Sequence, residues 1–382
     1  MKRKILLLGE PNSIWMKRCI EYSGIIGNSD IYSFYTDTSE YDSFYRKKGI
    51  KVCVLKHNTI FDKIPKVRGL IRIAEYLLYV RGLQKKAGGF DVVHISFIGR
   101  EKMLALRVLR KKTKKVVCTF WGSDLFRVPD KQLLKYRKAF EQTDVIMLST
   151  SEMKKKFISV FGREFYRKIL QLKFGVSGLE YIDPDNTQNA KKLLNVPENR
   201  TVITVGYNGN ECQNHIKVIK ALCNLEEQQK DRIFLLLPVT YGLTHEYRNK
   251  LIGSLNDLGC GYRLIEDFLD DEHLGQLREG TDVFIHAQTT DAFSASVQEY
   301  LYARKLVFNP VWIPYRDMKD KGIYYREYKD YSDLIKLLSD FLEKGVSKEE
   351  RIRMSQNSEI IWKLSSWESL SSGWNELYNV KK

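Results

Sequence analysis

Short apolar runs recur along the chain, separated by longer stretches in which apolar residues return every three or four positions. A continuous apolar run suits a strand buried on both faces, and the longer period suits one face of a helix. The alternation predicts parallel sheets with crossover helices. In the first half the runs fall at Ile5 to Leu8, Ile31 to Phe34, Lys51 to Leu55, Val92 to Ser96, Val116 to Phe120 and Val145 to Ser149. A second series follows at Val202 to Gly206, Ile233 to Leu237, Tyr262 to Leu264, Val283 to His286 and Leu306 to Phe308. Between them, Gly175 to Asn186 (GVSGLEYIDPDN) lapses into Gly and Pro turn chemistry and reads as a linker. The expected organisation is α/β: two Rossmann-like domains at residues 1–176 and 177–355, then a helical segment at 356–382. In that segment Ser365 and Glu368 have capping-box spacing. Trp367, Leu370, Trp374, Leu377 and Tyr378 share one face, which is expected to clamp the last helix back onto the first domain.

A length of 382 residues exceeds what one core usually organises, and 43% hydrophobic with 12% aromatic residues excludes disorder. The net charge of +16 is unevenly placed: residues 1–178 carry 37 Lys plus Arg against 16 Asp plus Glu, and residues 179–382 carry 26 against 31. A field confined to the first half attracts polyanions, which leaves nucleic acid, anionic lipid headgroups or a phosphate-bearing substrate. Six scattered cysteines without Cys-x-x-Cys spacing argue against a zinc module and read as free thiols. The opening MKRKILLLGE has too few apolar residues for a signal-peptide core and reads as a buried strand. No apolar stretch approaches the ~20 residues needed to cross a bilayer. Any membrane contact is therefore expected to be peripheral.

Candidate chemistry concentrates in Thr281 to Phe308, TDVFIHAQTTDAFSASVQEYLYARKLVF. A strand ends at His286, a loop of small residues follows, and a helix opens near Ser294 to Ser296 with its amides facing the loop, as an anion-binding end requires. Asp291 in the loop and Glu299 on the helix are separated by seven residues. This spacing and its surroundings resemble the two-acid motif of the family-4-type retaining glycosyltransferases, enzymes of the GT-B fold in which two Rossmann-like domains face each other across a cleft. The resemblance implies that Glu299 grips the ribose hydroxyls of a nucleotide and that Asp291 lies near the donor sugar. Asp stands where the family usually has Glu.

Val202 to Leu222, VITVGYNGNECQNHIKVIKAL, is a strand, a glycine-bearing loop and a helix. Gly206 and Gly209 would let backbone approach a ligand, and a helix starting near Asn214 would aim its dipole at a diphosphate. The position matches the first donor-domain loop of GT-B enzymes, with Tyr207 and Asn214 in place of the usual Arg and Lys. Asn208, Asn214, His215 and Lys217 are the substitute donors. The Asn-His pair and Leu237 to Gly242 also resemble bacterial 4-acetamido-fucose transferases, although His215 is equally readable as a structural cap.

In Val116 to Leu125, VVCTFWGSDL, the turn resembles the acceptor loop of polysaccharide-assembly enzymes, where a His is common at the position of Trp121. Asp124 is the candidate for orienting an acceptor hydroxyl and Trp121 for stacking on a sugar. The alternatives are a turn-stabilising Asp and a core Trp. His94 is a secondary catalytic candidate at another strand end, and Asn12 and Ser13 are acceptor-binding candidates in the turn after the first strand. For Phe268, in LGCGYRLIEDF, the resemblance implies a place near the nucleotide base.

The resemblance implies transfer of a hexosyl or aminohexosyl group, with retention, from a nucleotide diphosphate sugar to a glycan or lipid-linked acceptor in bacterial surface polysaccharide synthesis. No cofactor and no metal are expected. The partners expected are the donor, the acceptor and an anionic membrane surface, with no nucleic acid, and the location is cytoplasmic on the inner face of the cell membrane. Clusters at Lys63 to Arg72, Arg81 to Lys86 and Arg107 to Lys115 would meet the leaflet. The alternatives are a basic nucleic-acid-binding protein, which leaves the acid pair unexplained, and a GT-B-fold nucleotide-sugar epimerase, which needs no basic acceptor domain. A dinucleotide-dependent oxidoreductase is disfavoured because no Gly-x-Gly-x-x-Gly follows the first strand.

Overall fold

The computed structural model describes residues 2–10, 12–36, 39–56 and 65–380, with backbone alone at 65–67. It divides into two compact units: residues 1–175 with 367–382, and residues 176–366.

The first unit carries strands β1 (Arg3–Leu8), β2 (Ser29–Tyr35), β3 (Lys51–Val54), β4 (Phe90–Ser96), β5 (Thr113–Thr119), β6 (Val145–Leu148) and β7 (Ile169–Gln171). Among the described residues they form one seven-stranded sheet in the order β3-β2-β1-β4-β5-β6-β7, every pair parallel. Ile5 sits opposite Ile31 on one side and Val92 on the other, all buried, as the apolar runs require. The main helices here are α1 (Ile14–Tyr22), α2 (Pro65–Ala87), α3 (Arg100–Leu109) and α4 (Ser151–Phe161).

The second unit repeats the design with β8 (Thr201–Val205), β9 (Ile233–Pro238), β10 (Gly261–Ile265), β11 (Val283–Ile285), β12 (Leu306–Pro310) and β13 (Arg326–Tyr328). Their order is β10-β9-β8-β11-β12-β13, again all parallel. Its main helices are α5 (His215–Leu222), α6 (His245–Leu258), α7 (Asp271–Glu279), α8 (Ala295–Tyr302), α9 (Tyr331–Lys344) and α10 (Lys348–Ser365). β7 and β13 were not expected from the pattern. Each is a three-residue edge strand (Ile-Leu-Gln and Arg-Glu-Tyr), too short and too polar to stand out as an apolar run.

The last helix, α11 (Trp367–Leu377), belongs to the first unit. Trp367 stacks on Tyr22 at 5.3 Å between ring centroids, and Trp374 Nε1 donates to the Lys173 carbonyl at 2.8 Å. Lys115 Nζ donates to the carbonyls of Leu377 and Asn379 at 2.7 and 2.9 Å, so a cation covers the negative end of the helix. The segment expected to begin at residue 356 returns only at 367. α10 stays with the second unit, where Asn357 exchanges hydrogen bonds with the Tyr324 backbone and Ile361 is fully buried. Ser365 does not cap α11, because it ends α10. No helix among the described residues is long and apolar enough to cross a membrane.

Trp374 is completely buried in the first unit's core. Trp374→Ala is expected to lower stability by about 3–5 kcal/mol, read as a drop in the urea midpoint; a loss below about 1 kcal/mol would mean that α11 is not part of that core.

Candidate functional site

In open parallel sheets, ligands favour the carboxyl ends of strands at the point where the strand order reverses. In the second unit that point lies between β8 and β11, which are neighbours in the sheet although β9 and β10 intervene in sequence. The loops after these two strands are cross-linked to each other. Asn214 Nδ2 donates to the Ala287 carbonyl at 2.7 Å, and the Thr289 amide donates to the Cys212 carbonyl at 3.0 Å. Gln213 ties them again, accepting from the Tyr207 amide at 3.3 Å and donating to Gln288 Oε1 at 2.7 Å.

Two helices open into this region. α5 starts at His215, and Asn214, in the capping slot with φ +58°, spends its side chain on Ala287 rather than on the helix amides. α8 starts at Ala295 without a side-chain cap from Ser294. The positive ends of both helix dipoles therefore lie at the loop end of the sheet. The backbone is strained there: Phe293 adopts φ +66°, which a bulky side chain holds only when packing enforces it. Its buried ring packs edge-on against Tyr315 at 4.9 Å.

Asp291 is surrounded by donors. Its Oδ2 accepts from the Ser294 amide at 2.8 Å and from the Tyr315 hydroxyl, and its Oδ1 lies 3.4 Å from the Tyr207 hydroxyl, which also donates to Gln288 Oε1. Burial first and the Asp291 carboxylate second push both phenols well above their ordinary range, so they stay protonated donors. His286 stacks parallel to Tyr315 at 6.1 Å and to Tyr207 at 6.3 Å. Asn309 Nδ2 donates to the carbonyls of Pro310 and Ile313, which turns its Oδ1 toward His286 Nδ1 at 2.9 Å and assigns the proton to Nδ1. His286 Nε2 is left as a buried acceptor with no partner among the described residues, and burial holds the imidazole below its usual pKa.

Glu299, 7% exposed on α8, is paired within the protein. Its Oε2 accepts from Arg278 Nε at 3.0 Å, and the same guanidinium donates to Tyr300 Oη at 2.8 Å and Ser296 Oγ at 3.2 Å while lying 4.5 Å over the Tyr300 ring. The other oxygen rests against Gly178, where any Cβ would collide with it. Arg278 from α7 thus fixes one side of the carboxylate, and Gly178, bare of a Cβ, lies against the other.

The remaining candidates divide. Gly206, with φ +67°, is required by protein packing: a Cβ there would lie 2.6 Å from His215 Nε2. Gly209 likewise makes room for the Leu243 backbone, so neither glycine's small size is explained by a ligand alone. His215 is fully buried with its pKa held at about 4 by burial, and its Nε2 has no partner among the described residues. Asn208 is a loop brace, accepting from the Asn210 amide at 3.0 Å and donating to Tyr241 Oη at 3.2 Å. Lys217 is exposed on the first turn of α5, and Phe268 is 82% exposed beyond β10.

In the first unit the structure favours the alternatives. Asp124 is 3% exposed and directed at backbone: its oxygens accept from the amides of Trp121, Gly122 and Ile98 at 2.9, 3.0 and 2.8 Å. Burial nevertheless raises its pKa to about 6. Trp121 donates to Ser96 Oγ at 2.8 Å and packs edge-on against Phe97 and Phe174. His94 does not face open space. It is fully buried within β4, both ring nitrogens are bonded (to Tyr378 Oη at 2.7 Å and Thr119 Oγ1 at 2.8 Å), and burial holds its pKa near 3. Ser13 caps α1 through the Met16 amide, and Asn12 accepts from the Glu40 amide at 3.1 Å.

Arg278, Tyr315, Gln213, Gln288 and His286 were not singled out from the sequence as site residues. Tyr315 and Arg278 lie outside any motif, and only the fold brings them to the acids.

No protein-family model and no curated protein matches the chain. Solved structures do. The chain is similar to HepE of Anabaena in complex with UDP and glucose, at 14% identity and TM-score 0.71, with 98% of each chain covered. It is similar to a glycosyltransferase from Rickettsia africae at 16% identity and TM-score 0.74, covering 99% of this chain and 98% of that one. Sucrose-phosphate synthase from Thermosynechococcus elongatus gives 14% identity and TM-score 0.74 with the same coverage. These likenesses establish the fold: the two parallel-sheet units are those of GT-B.

Two outcomes test this geometry. Arg278→Met should cost about 3–5 kcal/mol by leaving Glu299 buried without its cation, and adding Glu299→Gln should recover much of it; additive losses in denaturant unfolding would show that the two do not interact. His94, His215 and His286 have folded pKa values depressed by burial, so their stability contribution is complete above the unfolded value of about 6.5 and is lost as pH falls toward 4. Asp124, raised to about 6, works in the opposite sense as a single group. The urea midpoint should therefore fall between pH 7 and pH 4.5, and a flat or rising midpoint would contradict the burial of these rings.

Proposed function

We propose that the chain is a nucleotide-sugar glycosyltransferase whose donor lodges on the loops following β8 and β11. The observation that supports this best is the Glu299 carboxylate, held by Arg278 at Oε2 and bordered by Gly178 at Oε1. A carboxylate fixed on one side is suited to accept from the two hydroxyls of a ribose, the role that the resemblance implies for Glu299. The diphosphate would face the uncapped starts of α5 and α8, with Asn214, Lys217, Ser294 and Ser296 near those turns. Asp291 would stand beside the donor sugar, its charge spread over the Ser294 amide and the two tyrosines. The structures of HepE with UDP and with UDP-glucose support a uridine nucleotide as the first donor to try.

The transfer we infer moves a hexosyl or aminohexosyl group, with retention, to a glycan or lipid-linked acceptor of bacterial surface polysaccharide synthesis. Asp124 and His94 are committed to backbone and core bonds, so the acceptor proton would pass to the departing phosphate oxygen. The first unit's charge suits attachment to the inner face of an anionic membrane, and α2 fits that task. Leu70 and Leu78 are 64% and 69% exposed on one face with Ala74 between them. Exposed Arg68, Arg81, Lys85 and Lys86 accompany them, and Glu75 is the one acid of the helix. Of the expected cluster Lys63 to Arg72, residues 63 and 64 lie outside the described residues. Each basic residue near an anionic leaflet contributes about 1 kcal/mol. Neither nucleic-acid binding nor epimerisation gains a comparable observation.

In a thermal-shift panel of UDP-, GDP- and dTDP-sugars, one series should raise the unfolding midpoint. Glu299→Gln, which keeps an acceptor for Arg278, should weaken that ligand roughly tenfold or more in calorimetry. Wild-type affinity in the variant would remove Glu299 from the donor site.

A further inference from the structure

At the opposite end of the second unit's sheet, where β8, β11 and β12 begin, lies a pocket of about 620 Å³. Arg200, Arg232, Arg304, Arg351 and Lys191 line it. Two carboxylates, Glu198 and Asp282, stand against these five cations. Asp282 is already engaged: its Oδ2 accepts from Lys191 Nζ at 2.6 Å and from the Val202 amide at 2.8 Å. The surplus of positive charge is not a reflection of composition, because residues 179–382 carry more acids than bases, 31 against 26.

Covering the carbonyl end of a helix is the ordinary task of such arginines. Arg232 does this, donating Nη2 to the Leu342 carbonyl of α9, and Arg351 donates Nε to the Val346 carbonyl at 3.3 Å just beyond. Each spends one of its five N–H groups in doing so. Arg304 is held by Ser358 Oγ at 3.2 Å and Asp185 Oδ1 at 2.7 Å. The Arg200 guanidinium is turned the other way, against Gly261 at the start of β10. The three anchored guanidinium groups of Arg232, Arg304 and Arg351, on residues that border a single pocket, offer planar pairs of donors of the kind that match phosphate oxygens. Phe341, Leu306 and Met354 add an apolar part to the lining.

We propose that this pocket is a second anion site, taking a small molecule that carries a diphosphate or a phosphomonoester. It lies at the amino ends of the strands, away from the loops assigned to the donor, and stands independently of that assignment. The guanidinium groups bind the phosphate oxygens, and the apolar wall accommodates the remainder of the ligand.

The test is calorimetry of the full chain with inorganic pyrophosphate, followed by UDP and glucose 6-phosphate to separate nucleotide from sugar phosphate as the source. Wild type should bind pyrophosphate at millimolar concentration or below. Arg351→Gln should weaken one pyrophosphate site at least tenfold, while the unliganded unfolding midpoint holds, since this exposed side chain gives one long hydrogen bond, to the Val346 carbonyl. Arg351→Glu is a second variant with the same expected direction. Glu299→Gln should leave this site intact, which separates its failure from failure of the donor reading. Unchanged pyrophosphate affinity in the arginine variants, or no binding by wild type, would overturn the proposal.

Discussion

A buried carboxylate is tolerated only with a cation or several donors beside it, because removal from water costs more than one weak contact returns. The second unit meets this constraint at Glu299 by placing Arg278 of α7 against it, and much of the local architecture follows from that pairing. Tyr300 takes the guanidinium on its face and hydroxyl, Ser296 takes a further N–H, and Phe284 stacks on Tyr300 at 4.1 Å from within β11. A strand, two helices and an acid are thus bound into one assembly. The Oε1 side of Glu299 lies against Gly178.

Asp291 is stabilised differently, by two phenols and a backbone amide rather than by a cation. Such a carboxylate has donors around it and no fixed positive neighbour, which would suit a place beside a sugar where positive charge develops during transfer. The two acids resemble each other in sequence and differ in surroundings. One is clamped on a rigid helix, while the other sits in a loop whose Phe293 backbone is strained.

Eleven strands were legible as apolar runs, since a strand covered on both faces leaves little choice of residue, and the short edge strands β7 and β13 were not. The return of α11 was legible from the aromatic stripe, but the returning segment was begun too early, at 356, because α10 runs on to Ser365 and stays with the second unit. In the candidate site, Asp291 and Glu299 were singled out by spacing. Their partners Arg278 and Tyr315 were not, because contacts made through tertiary structure leave no local pattern. The first-unit candidates show the reverse error: Asp124, Trp121 and His94 stand at suggestive strand ends, yet their polar atoms are used by neighbouring backbone and core groups.

The central claim is that a sugar nucleotide seats on the loops after β8 and β11 with its ribose at Glu299. Hydrogen–deuterium exchange of the full chain with and without UDP-glucose tests it most directly. The account predicts slowed exchange at the amides of residues 206–217 and 288–299, with the first unit's β-strand cores unchanged. Protection confined to other segments, at a ligand concentration that produces binding, would contradict it.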